Sequence, residues 1–107
     1  MKKYNELREK IKKFNEDRDW DQFHSPDNLA KSVAIEAGEL LECFQWNNDY
    51  DMDDVTDEMA DVFVYLVDLA NKLGVDLIDI ADKKMDKNAI KYPVDKAKGK
   101  SDKYDKL

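Results

Sequence analysis

Residues 32–46, SVAIEAGELLECFQW, have the periodicity of a core helix but place a carboxylate where the core should be. At about 100° per residue, one helical stripe contains the apolar residues Leu29, Val33, Leu40, Cys43 and Phe44. Glu36 falls inside that stripe, and Glu39 follows one turn later at its edge. An unpaired carboxylate in an apolar interface costs several kcal/mol. The sequence therefore predicts a compensating partner for Glu36.

The composition favours one all-helical domain. The chain has 107 residues, of which 40% are charged and 42% hydrophobic, with only 3 Gly and 2 Pro; such a composition suits long amphipathic helices. The net charge of −7 argues against partners that are nucleic acids or anionic membranes, because like charges repel. The sequence has no apolar run of membrane-spanning length and its N-terminus lacks the apolar segment of a signal peptide, so we expect a cytoplasmic protein. The single cysteine, Cys43, is expected to be a buried thiol.

Apolar periodicity and capping residues predict an antiparallel bundle of about four helices. These helices are expected at residues 2–18, at 26–46 after a Ser25 cap, from an Asp51 or Asp53 cap to Leu73, and from an Asp76 cap to about Ile90. Gly74 is the predicted stop of the third helix. Residues 94–107 read as a polar, mobile tail of the same single domain 1–107.

The third predicted helix is apolar on nearly all sides, which is typical of a helix buried on both faces. Besides the stripe that begins at Val55, the opposite side carries Ala60, Phe63, Val64 and Val67. A small bundle cannot easily cover such a helix, so we expect a homo-oligomer with this helix at or beside the subunit interface. The alternative is that the first and fourth helices cover it.

Four carboxylates are predicted to converge between the second and third helices. Glu58 and Asp61 repeat the i, i+3 spacing of Glu36 and Glu39, and two helices joined by a short loop normally pack as an antiparallel hairpin. All-oxygen ligands select Mg²⁺, with Mn²⁺ as a possible substitute. A di-iron site would need Glu-x-x-His pairs, but the only histidine, His24, lies in the loop before the second helix. The alternative is a solvated acidic face.

Polar and aromatic residues elsewhere suggest contacts to a nucleotide. The apolar row of the fourth helix is continued by polar residues, Lys84, Asn88 and Lys91. Their ammonium and amide groups are suited to binding phosphate oxygens. The alternative is that the lysine side chains extend from the edge of the core to solvent. Trp20, His24 and Trp46 can stack on and hydrogen-bond a nucleobase, or can plug the core.

Five separated blocks of the chain resemble one enzyme family. These blocks are RDWDQFHSPDNL, EAGELLECFQW, DEMADVFVYLVDLA, KMDKNAIKYP and KYDKL. In this order they resemble the dCTP pyrophosphatase branch of the MazG-like, all-α nucleoside triphosphate pyrophosphohydrolases. The resemblance runs from about Phe14 to the end of the chain.

The resemblance implies a specific activity and site. The expected reaction is Mg²⁺-dependent hydrolysis of a (deoxy)nucleoside triphosphate, most simply dCTP or a modified dCTP, to the monophosphate and pyrophosphate. Carried over, the catalytic and metal-binding residues are Glu36, Glu39, Glu58 and Asp61, and Tyr65 joins Trp20 and Trp46 at nucleotide-binding positions. The family's helical bundle assembles as a dimer of dimers with active sites at subunit contacts. The alternatives are a non-catalytic acidic oligomerisation or protein-binding module, and the same chemistry on dUTP or another non-canonical nucleotide.

Two departures from the family concern the choice of base. Ile11 stands where vertebrate members carry a histidine that contacts the base, and the loop between the second and third helices is shorter here. Neither change affects the expected metal chemistry.

Overall fold

The computed structural model describes residues 1–46 and 49–107, and within these ranges the chain forms α-helices and no strand. The α-helices are α1 (Lys2–Asp17), α2 (Pro26–Glu42), α3 (Met52–Leu73), α4 (Leu77–Lys91) and α5 (Val94–Ala97). Short 3-10 turns occur at Asp21–Phe23 and Tyr104–Lys106. The predicted all-α class is confirmed. Among the described residues, none of the helices is long and apolar enough to cross a membrane.

The chain divides into two compact units, Met1–Val75 and Asp76–Leu107. In the first unit, α3 packs against both α1 and α2. Its core is small and comes from all three helices: Tyr4, Ile11, Leu29, Val55, Val67 and Ala70. In the second unit, the Tyr92 and Tyr104 rings meet edge to face at 6.2 Å, so the segment predicted as a tail contains an ordered contact as well as α5.

The α2–α3 hairpin is antiparallel, as three levels along it show. Near the end of α2, burial and then the charge of Asp54, at the start of α3, raise the pKa of the Cys43 thiol. About two turns before Cys43 on α2, Glu36 lies beside Asp61 of α3. Close to the start of α2, Leu29 lines the same cavity as Asn71 near the end of α3. Residue numbers rise on α3 as they fall on α2, and this arrangement brings the acidic positions of the two helices together.

Most predicted helix ends are confirmed by cap geometry. Ser25 Oγ accepts a hydrogen bond from the Asn28 amide, and the carboxylates of Asp51 and Asp76 cap α3 and α4 in the same way. Gly74 has φ +71° and ends α3, which is the left-handed conformation that glycine adopts at no steric cost.

The predicted end of α2 at Trp46 is wrong, since the helix ends at Glu42. The amides of Cys43 and Phe44 bond to the carbonyls three residues back, at 3.2 and 3.0 Å, which tightens the last turn and stops the α-helical ladder. Phe44 leaves the apolar stripe as a result and packs its ring 4.8 Å from that of Tyr50. Cys43 is half-buried, not fully buried as expected.

α1 ends in a Schellman motif without glycine. Asp19 has φ +55°, the amide of Trp20 bonds to the Asn15 carbonyl at 3.0 Å, and the amide of Asp19 bonds to the Glu16 carbonyl at 3.1 Å. Aspartate tolerates the left-handed conformation better than most residues. This turn fixes where the Trp20 side chain leaves the backbone.

Candidate functional site

Three carboxylates from the α2–α3 hairpin form a compact cluster. Glu36 on α2 and Glu58 and Asp61 on α3 each offer one oxygen, and these oxygens lie within 4.8 Å of one another. Glu36 and Glu58 are half-buried and Asp61 is exposed. Among the described residues, Oε2 of Glu36 and Oε2 of Glu58 are buried without a hydrogen-bond partner. Buried oxygens of this kind require a donor or a cation, and an all-oxygen set fits a hard divalent cation.

The pKa values of Glu36 and Glu58 also indicate that the cluster lacks a positively charged partner. Burial, followed by the neighbouring carboxyl groups of Glu39 and Glu58, raises the pKa of Glu36 from 4.5 to about 7. Burial also raises the pKa of Glu58, and the charges of Glu39 and Asp61 act in the same direction. Ionisation of Glu36 near neutral pH is therefore opposed by its surroundings. A bound cation would supply the attraction that the protein itself lacks.

Glu39, the fourth predicted ligand, lies beside the cluster without being one of its three closest members. Its side chain is exposed, and its carboxyl group acts on the pKa of both Glu36 and Glu58. Its role as a metal ligand stays a prediction.

A cavity of about 410 Å³ adjoins the carboxylate cluster. It is lined by Leu7, Lys10, Ile11, Phe14, Asn15, Trp20, His24, Asp61, Val64, Tyr65 and Asp68. Asp61 belongs to both the cluster and the cavity wall, so a ligand in the cavity would reach the cation site. Tyr65 follows one turn later on α3; burial, and then the charge of Glu36, raises the pKa of its phenol.

Trp20 and Phe14 form an aromatic wall of the cavity. Their rings meet edge to face with centroids 5.6 Å apart, and the Arg18 guanidinium lies 3.7 Å from the centre of the Phe14 ring. An aromatic wall of this kind is suited to stacking a flat base. Ile11, at the position where the sequence departs from the family, is buried and contributes an apolar contact to the same cavity.

Not all of the predicted substrate-binding residues meet at this cavity. Trp20, His24 and Tyr65 line it, whereas Trp46 is 85% exposed and is absent from its lining. Lys84, Asn88 and Lys91 lie on α4, in the second compact unit. The roles assigned to Trp46 and to these three residues stay predictions.

A buried polar pair in the cavity wall was not singled out from the sequence. Asn15 on α1 is 5% exposed and Asp68 on α3 is 8% exposed, and Nδ2 of Asn15 donates a hydrogen bond to Oδ1 of Asp68 at 2.7 Å. Asn15 continues the apolar spacing of Leu7 and Ile11. A polar residue inside an apolar stripe is the signal that revealed Glu36, and it applies equally here.

The acidic hairpin lies inside a region shared with known proteins. The profile of the MazG-like family matches residues 31–107, which include all three cluster carboxylates. The chain belongs to the MazG-like family. This assignment confirms the family resemblance seen in the five sequence blocks.

Individual relatives of this MazG-like chain include mammalian enzymes and one archaeal structure. The chain is 39% identical to dCTP pyrophosphatase 1 of Mus musculus and of Homo sapiens, over 88% of this chain and 61% of each relative. The chain thus spans about three fifths of the length of these curated relatives. The crystal structure of a pyrophosphatase from Archaeoglobus fulgidus superposes with a TM-score of 0.75 and 38% identity, covering 83% of this chain and 91% of the archaeal one.

Proposed function

We propose that this MazG-like protein is a divalent-cation-dependent pyrophosphohydrolase that cleaves dCTP, or a modified dCTP, to the monophosphate and pyrophosphate. One observation carries the proposal: a cluster of three carboxylates with two buried, unpartnered oxygens opens through Asp61 into a cavity with an aromatic wall. This geometry supports a cation site with a base site beside it. The names of the mammalian relatives support dCTP as the substrate.

In the proposed mechanism, Glu36, Glu58 and Asp61 would hold Mg²⁺ or Mn²⁺, with Glu39 as a fourth ligand. The chemistry that such a cation supplies is neutralisation of phosphate oxygens and activation of water for attack on the α-phosphorus. Glu39, which is exposed beside the cluster, is also the candidate to orient that water and to accept its proton. A Glu39→Gln variant that loses turnover but keeps its metal affinity would favour the base role, and one that loses both would favour the ligand role.

Residues of the cavity would hold the nucleoside while the cluster holds the triphosphate. Trp20 stacks on the base, and His24 and Tyr65 offer polar atoms within the same cavity. Trp46 is proposed to flank the base as well. Lys84, Asn88 and Lys91 are proposed to hold the phosphate oxygens that leave with pyrophosphate, because ammonium and amide groups are suitable donors to them.

We further propose that the protein works as a homo-oligomer, a dimer or a dimer of dimers, in the cytoplasm. Large apolar side chains remain exposed on the hairpin, where a small bundle would otherwise cover them. They are Ile35 and Leu41 on α2 and Met52, Met59, Phe63 and Leu73 on α3. Large exposed apolar side chains on a helix pair are typical of a subunit interface.

Pyrophosphate release from each of the four dNTPs and from dUTP, with Mg²⁺ and with excess EDTA, tests the activity. We expect turnover that requires the cation and that is lost in Glu58→Gln and Asp61→Asn. Glu6→Gln, an exposed change on α1, is the matched control and should keep full activity. Turnover that survives EDTA or both cluster variants would refute the site. An absence of turnover on every nucleotide would favour the non-catalytic acidic module.

A further inference from the structure

The Asn15–Asp68 pair is a polar contact at the centre of the first compact unit that the proposed hydrolysis does not use. Both side chains are more than nine-tenths buried and both line the 410 Å³ cavity. They also line a second cavity of about 310 Å³, together with His24. The pair therefore stands between two cavities, in contact with the space that the base would fill.

The hydrogen bond between the two residues uses only part of their polar capacity. An ionised carboxylate accepts at two oxygens, and an amide offers two donors and one acceptor. The single bond from Asn15 Nδ2 to Asp68 Oδ1 fixes the carboxylate and leaves its other oxygen able to accept from a ligand. Buried polar groups with unused capacity discriminate strongly between ligands, because a ligand that cannot pair with them leaves them unsatisfied.

We infer that Asp68, held in position by Asn15, reads the base by accepting a hydrogen bond from an exocyclic amino group such as the 4-amino group of cytosine. This inference rests on the proposed function and names the residues that choose the base. Uracil carries a carbonyl oxygen at the corresponding position, and a carboxylate repels that oxygen. The Trp20 face would stack on the same base, so that stacking supplies affinity and Asp68 supplies selectivity.

The surroundings of Asp68 fit the role of a fixed acceptor. Burial raises the pKa of Asp68, whereas the hydrogen bond from Asn15 and then the charge of His24 act in the opposite direction. The His24 side chain lines the same cavity. Lys10 lies on the cavity wall as well. Among the described residues, Asn15 is the hydrogen-bond donor to Asp68. Asn15 is thus a positioning residue and Asp68 the specificity-determining one.

The competing explanation is that the pair only ties α1 to α3, and exchange variants separate the two. Asp68→Asn keeps a hydrogen bond to Asn15 but presents an amide donor to the cavity. The reciprocal exchange, Asn15→Asp with Asp68→Asn, keeps an Asn–Asp bond between the helices and moves the carboxylate to α1. Asn71→Ala is the matched control, because it removes another α1–α3 hydrogen bond, from Arg8 Nε at 3.4 Å, outside the 410 Å³ cavity.

The experiment measures kcat/KM for dCTP and dUTP with Mg²⁺, and the affinity for dCMP and dUMP, in the wild type and these variants. We expect the wild type to prefer cytosine and the dCTP/dUTP ratio to fall at least about tenfold in Asp68→Asn and in the exchange variant. Asn71→Ala should lower thermal stability and leave the ratio unchanged. If the exchange variant fails to fold, the dCTP/dUTP ratio of kcat/KM in Asp68→Asn alone tests the inference.

The outcomes for base selection and for hydrolysis are distinguishable. A ratio within about twofold of wild type in Asp68→Asn would overturn the inference, as would equal turnover of dCTP and dUTP by the wild type; hydrolysis itself would stand in both cases. If the wild type hydrolyses neither nucleotide, the proposed function fails. The affinities for dCMP and dUMP then test the inference about base selection. A dCMP preference lost in Asp68→Asn would then support the inference, and equal binding of dCMP and dUMP would overturn it.

Discussion

Replacing Glu36 with glutamine is expected to stabilise the metal-free protein at alkaline pH while it abolishes hydrolysis. The Glu36 carboxylate lies with those of Glu58 and Asp61 inside 4.8 Å, and burial raises its pKa from 4.5 to about 7. Glutamine keeps the shape of the side chain and cannot ionise. The variant therefore resembles the wild-type protein with Glu36 protonated, whatever the pH.

The size of the effect follows from the distances and from the sign of the pKa shift. A carboxyl group whose pKa is raised on folding binds more protons in the folded state, so stability falls as pH rises from 4.5 to about 7 and stays low above it. Two unit charges 4.8 Å apart repel by roughly 1 kcal/mol in water and roughly 3 kcal/mol near a protein surface. Solvent screening of a partly exposed carboxylate places the net cost of the Glu36 charge at about 1 kcal/mol. In a domain of this size, that corresponds to a Tm difference of about 4–8 °C.

Thermal melts in EDTA at about pH 5 and about pH 8 measure this difference directly. We expect Glu36→Gln and wild type to melt alike at the lower pH and the variant to melt higher at the upper pH. Adding Mg²⁺ at the upper pH should raise the wild-type Tm by more than that of the variant. In the control Glu6→Gln, an exposed change on α1, adding Mg²⁺ should raise the Tm by as much as in wild type. If Glu36→Gln is less stable than wild type at both pH values without metal, the electrostatic reasoning is refuted.

Two other expectations concern binding and assembly. Trp20→Ala should weaken nucleotide binding at least about fivefold, because stacking on an aromatic ring contributes roughly 1–3 kcal/mol per base; calorimetric titration with a nucleotide and Mg²⁺ measures this, and unchanged affinity would contradict the aromatic wall. Light scattering should give a mass two or four times the 12.5 kDa of one chain, and Phe63→Glu on α3 should shift the mass towards that of the monomer. A monomeric wild type would contradict the proposed oligomer.

The helices and the acidic cluster could be anticipated because their signals are local. The caps Ser25 and Asp76 and the stop at Gly74 act within a few residues of themselves. The position of Glu36 inside an apolar stripe depends only on helical spacing. The hairpin then follows from chain connectivity, since a short loop leaves few other arrangements.

Features that depend on distant partners or on unusual backbone conformations were harder to anticipate. The left-handed turn at Asp19 lacks the glycine that normally marks a Schellman motif, so the sequence did not predict where Trp20 would point. The end of α2 at Glu42 depends on the tightening of its last turn, because the sequence offers neither glycine nor proline there. The pairing of Asn15 with Asp68 joins residues on α1 and α3 and becomes visible only once those helices are packed.

The cluster carboxylates come from one helical hairpin, and this has a consequence for folding. Loop closure over so short a stretch of chain costs little entropy, and contacts between sequence neighbours form early. The hairpin closes, however, against the mutual repulsion of its own acids. A divalent ion would therefore link the carboxylates of α2 to those of α3 and stabilise the closed hairpin. Amide hydrogen exchange along α2 and α3 should slow when the ion is added.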